Sequence, residues 1–229
     1  MQRGCTLMMD SSASPLLLAL EKEGKIYTSR RKGIKQERLL FAQLQALLAK
    51  AHAQLKDISH IFIIRGPGRF TGIRIALTFA SMMQFLNHSE VKGATLFDVI
   101  YRQAVNSHTY QVFKKNSPLG AVAVVLHAFR EEYFLQIFDK QNRGPQWLSR
   151  EELLAQLAAY PHPLLVAGTD REFSSLTNLL GDKYPLAAAK DCKVQPSTLW
   201  QMSQEDMWTK NALEPLYLKP ARFELIVPK

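Results

Sequence analysis

A chain of 229 residues with 47% hydrophobic and 21% charged content has a globular balance, enough for one large domain or two small ones, and is not a disordered polymer. The net charge of +9 is concentrated in residues 1–110, which fits either contact with an acidic partner, nucleic acid or protein, or a basic solvated surface. No apolar run approaches the ~20 residues of a membrane helix. The N-terminal ten residues lack a secretory apolar region, and the two cysteines are too few for a disulfide framework, so a cytoplasmic protein is expected.

Thr6 to Met9 is a short apolar strand ending at Asp10, and Asp10-Ser11-Ser12-Ala13-Ser14-Pro15 is turn-like. Leu16 to Leu20 and Lys25 to Ser29 read as strands joined by a hairpin turn at Glu21-Lys22-Glu23-Gly24. Lys35 to Leu55 is predicted as a long helix with Leu40, Leu44, Leu47, Leu48, Ala51 and Leu55 on one face. A second stripe, Leu39, Ala42, Ala46, Ala49 and Ala53, is small enough to let another helix approach, or is alanine favouring helix on an exposed face.

Ile61 to Ile64 is a strand that runs into Arg65-Gly66-Pro67-Gly68-Arg69-Phe70-Thr71-Gly72. Gly66 and Gly68 permit a sharp reversal, Pro67 stiffens it, and Thr71 is the expected N-cap of a helix from Gly72 to Leu86. That helix is apolar nearly all round, with only Arg74, Thr78, Ser81 and Gln84 interrupting, which predicts its own core on one side and a partner on the other. Val91 to Thr95 is a strand and Leu96 to Asn106 a helix. Three strands joined by short turns pair antiparallel, and the later ones, separated by helices, add in parallel, giving a mixed sheet.

Residues 107–119 read as a linker or exposed loop. Strands are expected at Ala121–Leu126, Tyr133–Phe138 and Leu164–Ala167. A helix opens at Ser149 on a capping box with Glu152 and runs to about Ala159. Further helices are expected at Glu172–Leu180 and Ser197–Thr209, with Leu213 to Lys219 as an extended tail. The second half thus repeats the theme of the first in shortened form, and the expected boundary gives domains 1–107 and 108–229.

The glycine turn invites a phosphate-binding reading but matches neither GxxxxGK[ST] nor GxGxxG, so a structural turn is the preferred reading. Asp10 reads as a turn-initiating residue rather than a metal or nucleotide ligand. Six histidines form no HxxxH or HExxH pair, and no nucleophile motif is present. Trp147, Trp200 and Trp208 read as packing residues. No catalytic, cofactor-binding or metal constellation can be assembled, which favours a binding or scaffold protein.

Several segments together resemble the bacterial TsaB family. Arg65-Gly66-Pro67-Gly68-Arg69-Phe70-Thr71-Gly72-Ile73-Arg74-Ile75 is similar to that family's RGPGSFTGLRI signature. Met9-Asp10-Ser11-Ser12 is similar to its LDTS, Glu37-Arg38-Leu39-Leu40 to its ERLLP, and Leu213 to Lys219 to its EPxYLR ending. The resemblance implies two RNase H-like domains of the actin/Hsp70 superfold, the second reduced. It implies a non-catalytic scaffold that binds the transferase subunit TsaD during formation of threonylcarbamoyladenosine in tRNA, with the ATPase TsaE joining the assembly. It also implies that the two helices carry the docking surface, here Leu39, Ala42, Ala46, Ala49, Arg74, Thr78, Phe79, Met82 and Phe85, which a homodimer can also use. Arg69 stands where the family has serine, Phe41 replaces a common proline, and His127-Ala128-Phe129-Arg130 replaces Asp-Ala-Arg. The rival readings are a stand-alone ATPase or small-molecule kinase of the same superfold, with Asp10-Ser11-Ser12 and the glycine turn as phosphate loops, and a tRNA-binding module using the basic first half.

Overall fold

The computed structural model describes residues 4–33, 36–141, 143–169 and 176–219. Two compact units emerge from the described residues of the chain. One comprises Met1–Leu96 with Val194–Leu216, the other Phe97–Lys193 with Tyr217–Lys229.

The first unit is built on a five-stranded sheet of order β3-β2-β1-β4-β5, where β1 is Cys5–Asp10, β2 Leu16–Lys22, β3 Lys25–Arg31, β4 Ile58–Ile64 and β5 Glu90–Ala94. β1 pairs antiparallel with β2 and β2 with β3, while β4 adds parallel to β1 and β5 parallel to β4. The β2–β3 turn is two residues long, Glu23 and Gly24, both at positive φ (53° and 82°), as a tight hairpin matched to strand twist requires. It is shorter than the four-residue turn expected, because β2 continues through Glu21 and Lys22.

Helix α1 (Gln36–Lys50) and helix α2 (Phe70–Asn87) lie on one face of this sheet. Alternate residues Cys5, Leu7 and Met9 of β1, Leu16, Leu18 and Leu20 of β2, and Ile61 and Ile63 of β4 form a core with Leu40, Leu44 and Leu47 of α1. Ala76, Phe79, Ala80 and Met83 of α2 complete it. Met8, Leu17, Phe62 and Ile64 point the other way and are also buried. Helix α7 (Pro196–Ser203) packs against β1, β3 and β4 and buries Leu199 and Met202 fully.

Helix α1 ends five residues earlier than expected. His52 adopts a left-handed φ of 48°, and its N–H reaches the Ala49 carbonyl at 3.2 Å while that of Ala53 reaches Leu48 at 2.9 Å. This Schellman pattern satisfies carbonyls that end the helix. Leu55 falls in a following 3-10 turn, Leu55–Asp57, and is exposed rather than part of the apolar face.

In the second unit, a four-stranded sheet has the order β8-β7-β6-β9, with β6 Ala121–Phe129, β7 Glu132–Phe138, β8 Gln146–Ser149 and β9 Leu164–Thr169. β6 and β7, and β7 and β8, pair antiparallel, and β9 joins β6 in parallel, which repeats the first sheet without its fifth strand. Helix α5 (Arg150–Ala159) starts on the expected capping box: the Glu152 amide donates to Ser149 Oγ at 3.2 Å and the Ser149 amide to Glu152 Oε2 at 2.7 Å. Helix α3 (Leu96–Val105) carries Tyr101, whose ring stacks on Phe138 at 4.1 Å. Two mixed sheets flanked by helices bear out the expected fold class.

Residues 107–119 are not a loop. His108–Asn116 forms helix α4, capped by Ser107, whose Oγ accepts from the Tyr110 amide at 3.1 Å. Phe113 is buried, and Lys114 and Lys115 lie in the last turn, where cations favour the helix dipole. Strand β8 lies between the expected strand at Tyr133–Phe138 and the capping box at Ser149, where no element was expected. The helix expected at Ser197–Thr209 is split into α7 and a 3-10 turn at Asp206–Trp208. Of the helix expected at Glu172–Leu180, residues 172–175 lie outside the described residues, and helix α6 covers Thr177–Leu180.

Leu44 of α1 is fully enclosed by the first sheet. Leu44→Ala is expected to lower unfolding free energy by about 2–5 kcal/mol, read as a shifted denaturation midpoint in urea with unchanged slope.

Candidate functional site

The glycine turn lies between β4 and α2, and the β1–β2 loop fits against it. Asp10, at the end of β1, accepts hydrogen bonds from the Ser12 amide (3.0 Å) and the Ser12 hydroxyl (2.6 Å), the geometry of an Asx turn. The Ser12 carbonyl then accepts from the Arg69 amide at 2.6 Å, and Ser11 Oγ donates to the Gly72 carbonyl at 2.7 Å. A Cβ on Gly68 would collide with the Ser12 carbonyl, so this approach requires glycine. Gly66, at φ +122°, accepts at its carbonyl a hydrogen bond from the Leu96 amide (2.7 Å), and a Cβ there would meet the Leu216 carbonyl at 2.6 Å. The Gly66–Pro67 peptide is cis. Arg65 is held on both sides, its amide to the Ala94 carbonyl (3.0 Å) and its carbonyl to the Leu216 amide (2.8 Å).

Asp10 takes the turn-initiating role expected of it. Its carboxyl is buried, and burial pushes its pKa up, against the smaller opposing effect of the Ser12 hydrogen bonds. Thr71 is not the N-cap. The helix begins earlier, at Phe70, with Arg69 in the cap position and no side-chain cap bond, because the Ser12 carbonyl anchors Arg69 through its backbone. Thr71 is exposed and Gly72 buried, both inside the first turn of α2.

Between α1 and α2 runs an open apolar groove of about 350 Å³. Leu40, Phe41, Phe70, Ile75, Phe79 and Met82 supply its apolar wall, and Thr71, Arg74 and Thr78 its polar edge. Phe41 and Phe79 meet edge to face with ring centroids 6.3 Å apart, and the Arg74 guanidinium lies over the Phe70 ring at 5.3 Å. Beyond the groove, Phe85 and Leu86 are 81% and 67% exposed. Such neighbouring apolar side chains in water are unusual for a surface without a partner.

The residues expected at a docking surface fall into three groups. Ala42, Ala49, Arg74, Thr78 and Phe85 are exposed, and Leu39, Ala46 and Met82 are half-buried. Phe79 is only 4% exposed and belongs to the core beneath the groove. Phe41, Phe70, Ile75 and Leu86 were not among the expected surface residues. Phe70 carries a readable signal, an aromatic ring between Arg69 and Thr71 at a helix start, whereas Phe41 sits between Leu40 and Ala42 inside α1, and helix periodicity alone does not assign the face of either.

Cys5 and Cys192 are free and buried, with burial raising both thiols, as small core residues would be. Among the described residues no group of three or more His, Cys, Asp or Glu side chains could hold a metal ion. No described helix is long and apolar enough to cross a membrane.

The family model described as TsaD: tRNA N6-adenosine threonylcarbamoyltransferase matches residues 36–109, a segment that contains α1 and α2. Two curated relatives carry the name tRNA threonylcarbamoyladenosine biosynthesis protein TsaB. The Bacillus subtilis (strain 168) protein is 23% identical over 228 residues, 95% of each chain. The Buchnera aphidicola subsp. Schizaphis graminum protein is 26% identical over 117 residues, 51% of this chain, and the match spans 53% of that relative. Among solved structures, YeaZ from Pseudomonas aeruginosa has a TM-score of 0.65 at 21% identity, covering 94% of this chain and 100% of its own, a likeness of fold. The resemblance to TsaB expected from the motifs is therefore borne out over nearly the whole chain.

The raised Asp10 pKa has a definite sign in stability. The unfolded chain ionises near 3.8, whereas the folded state holds the proton to higher pH, so unfolding releases a proton in that window and stability falls as pH rises. Asp10→Asn keeps the acceptor for Ser12 and removes the charge. Its stability relative to the unsubstituted protein is expected to increase from about pH 4 to pH 7, read from urea midpoints at each pH. A constant difference would mean that Asp10 ionises alike in both states.

Proposed function

We propose that this chain acts in the biosynthesis of tRNA N6-threonylcarbamoyladenosine as a non-catalytic, cytoplasmic scaffold that binds a TsaD-type transferase subunit through the α1–α2 face. Similarity along 95% of the chain to a protein named tRNA threonylcarbamoyladenosine biosynthesis protein TsaB supports the process. The observation that carries the mode of action is the apolar groove between α1 and α2, together with the exposed Phe85 and Leu86 further along α2. Apolar surface of this kind is stabilised by removal from water, and a helix pair offers ridges and grooves to a second helix pair.

The glycine turn supports this reading over a stand-alone kinase. Its Arg69 amide is engaged by the Ser12 carbonyl and Gly68 is packed against Ser12, so the two loops that a kinase would use for phosphate grip one another. In this reading the turn sets where α2 begins, the partner supplies the transferase chemistry, and a TsaE-type ATPase joins the assembly.

Phe85 is the variant of choice, because Phe79 is needed by the core. Phe85→Asp is expected to retain the melting transition of the unsubstituted protein but to lose co-elution with the TsaD-type subunit in size exclusion after co-expression. Co-elution that survives this change would place the docking surface elsewhere. Micromolar ATP binding with turnover by the isolated chain, by calorimetry and phosphate release, would favour the kinase reading instead.

A further inference from the structure

The rim of the α1–α2 groove is basic, and no Asp or Glu is among the described residues that line the groove. Arg74 lines the groove, Arg69 immediately precedes Phe70 at its wall, and Arg38 lies one turn before Phe41 on the same side of α1. All three are exposed. The described ion pairs of the first unit are His60–Glu90, Lys92–Glu90 and Lys92–Asp206, and none involves these arginines. Helix α2 contains no Asp or Glu, and α1 contains one, Glu37. The Arg74 guanidinium is held over Phe70 by the ring rather than by an anion.

This charge pattern discriminates between occupants of the groove. A second copy of the chain would dock through a two-fold interface, presenting the same patch to itself. It would bring three more arginines to the rim, while its α1 and α2 together carry one acidic residue, Glu37, and like charges brought together across an interface oppose association. A nucleic acid would match the charge but leave the apolar groove and Phe85 without a partner. We infer that the groove takes a helical protein surface with an apolar centre and carboxylates at its rim, and that Arg69, Arg74 and Arg38 select this acidic partner over a second copy of the chain. Arg69, where the family pattern has serine, adds one positive charge to this selection. The inference rests on the docking reading above and adds to it the sign of the partner's charge.

The experiment uses the full chain and the TsaD-type subunit encoded in the same genome. Association is followed by biolayer interferometry at several salt concentrations, and self-association by sedimentation velocity, for the unsubstituted chain, Arg69→Glu/Arg74→Glu and Phe85→Asp. All three lie on exposed positions, and melting curves verify folding. The expected result is a monomeric chain that binds the subunit with an association rate that falls as salt rises. In the double variant that rate drops about tenfold or more at low salt and loses its salt dependence. Loss of binding in Phe85→Asp with undiminished, equally salt-dependent binding in the double variant would overturn the charge selection and leave the docking face intact. Undiminished binding in both variants would overturn the docking face itself, and with it the inference. Self-association of the unsubstituted chain tighter than its binding to the subunit would overturn the selection against a second copy.

Discussion

The contact between the β1–β2 loop and the start of α2 is the constraint on which the rest of the first unit depends. One short hydrogen bond, from the Arg69 amide to the Ser12 carbonyl, stands where a side-chain cap would otherwise begin the helix. It is possible only because Gly68 has no Cβ to keep the two backbones apart. Asp10 holds Ser12 in place from the other side, and Ser11 fastens the first turn through the Gly72 carbonyl. The outcome is that α2 starts at a fixed point over the sheet, with Ile73, Ala76, Ala80 and Met83 inward and Arg74, Thr78 and Phe85 outward.

That placement turns an amphipathic accounting problem into a surface. Helix α2 has more apolar residues than one sheet can cover. The sheet and α1 bury one side, and the surplus forms the groove wall and the exposed Phe85–Leu86 pair. The groove floor is shared with the core through Phe79, whose ring meets Phe41 at the groove. Docking and folding therefore draw on adjacent side chains, and a variant that tests one must avoid the other.

Much of the fold was legible because its signals are local. Hairpin-joined strands, a capping box at Ser149 and Glu152, and a glycine turn between an apolar strand and an apolar helix each follow from residues close in sequence. Helix α4 escaped because its polarity masked it, although Ser107 at its start, Lys114 and Lys115 in its last turn and Pro118 beyond are readable end signals. The end of α1 escaped because no glycine marks it: His52 takes the left-handed position. Thr71 resembled a cap by residue type, but the anchoring partner, Ser12, is far away in sequence.

By itself the sequence determined the element types, the mixed pairing of the sheets, the turn at Gly66 to Gly68 and the excess of apolar residues on α2, since periodicity and backbone preference act within a few residues. Only the tertiary structure decided which apolar residues are core and which face water. Phe79 and Phe85 are chemically the same and lie on one helix, yet one is 4% exposed and the other 81%. Their difference comes from where α1 and the sheet stop covering α2, a property of packed elements that no local pattern encodes.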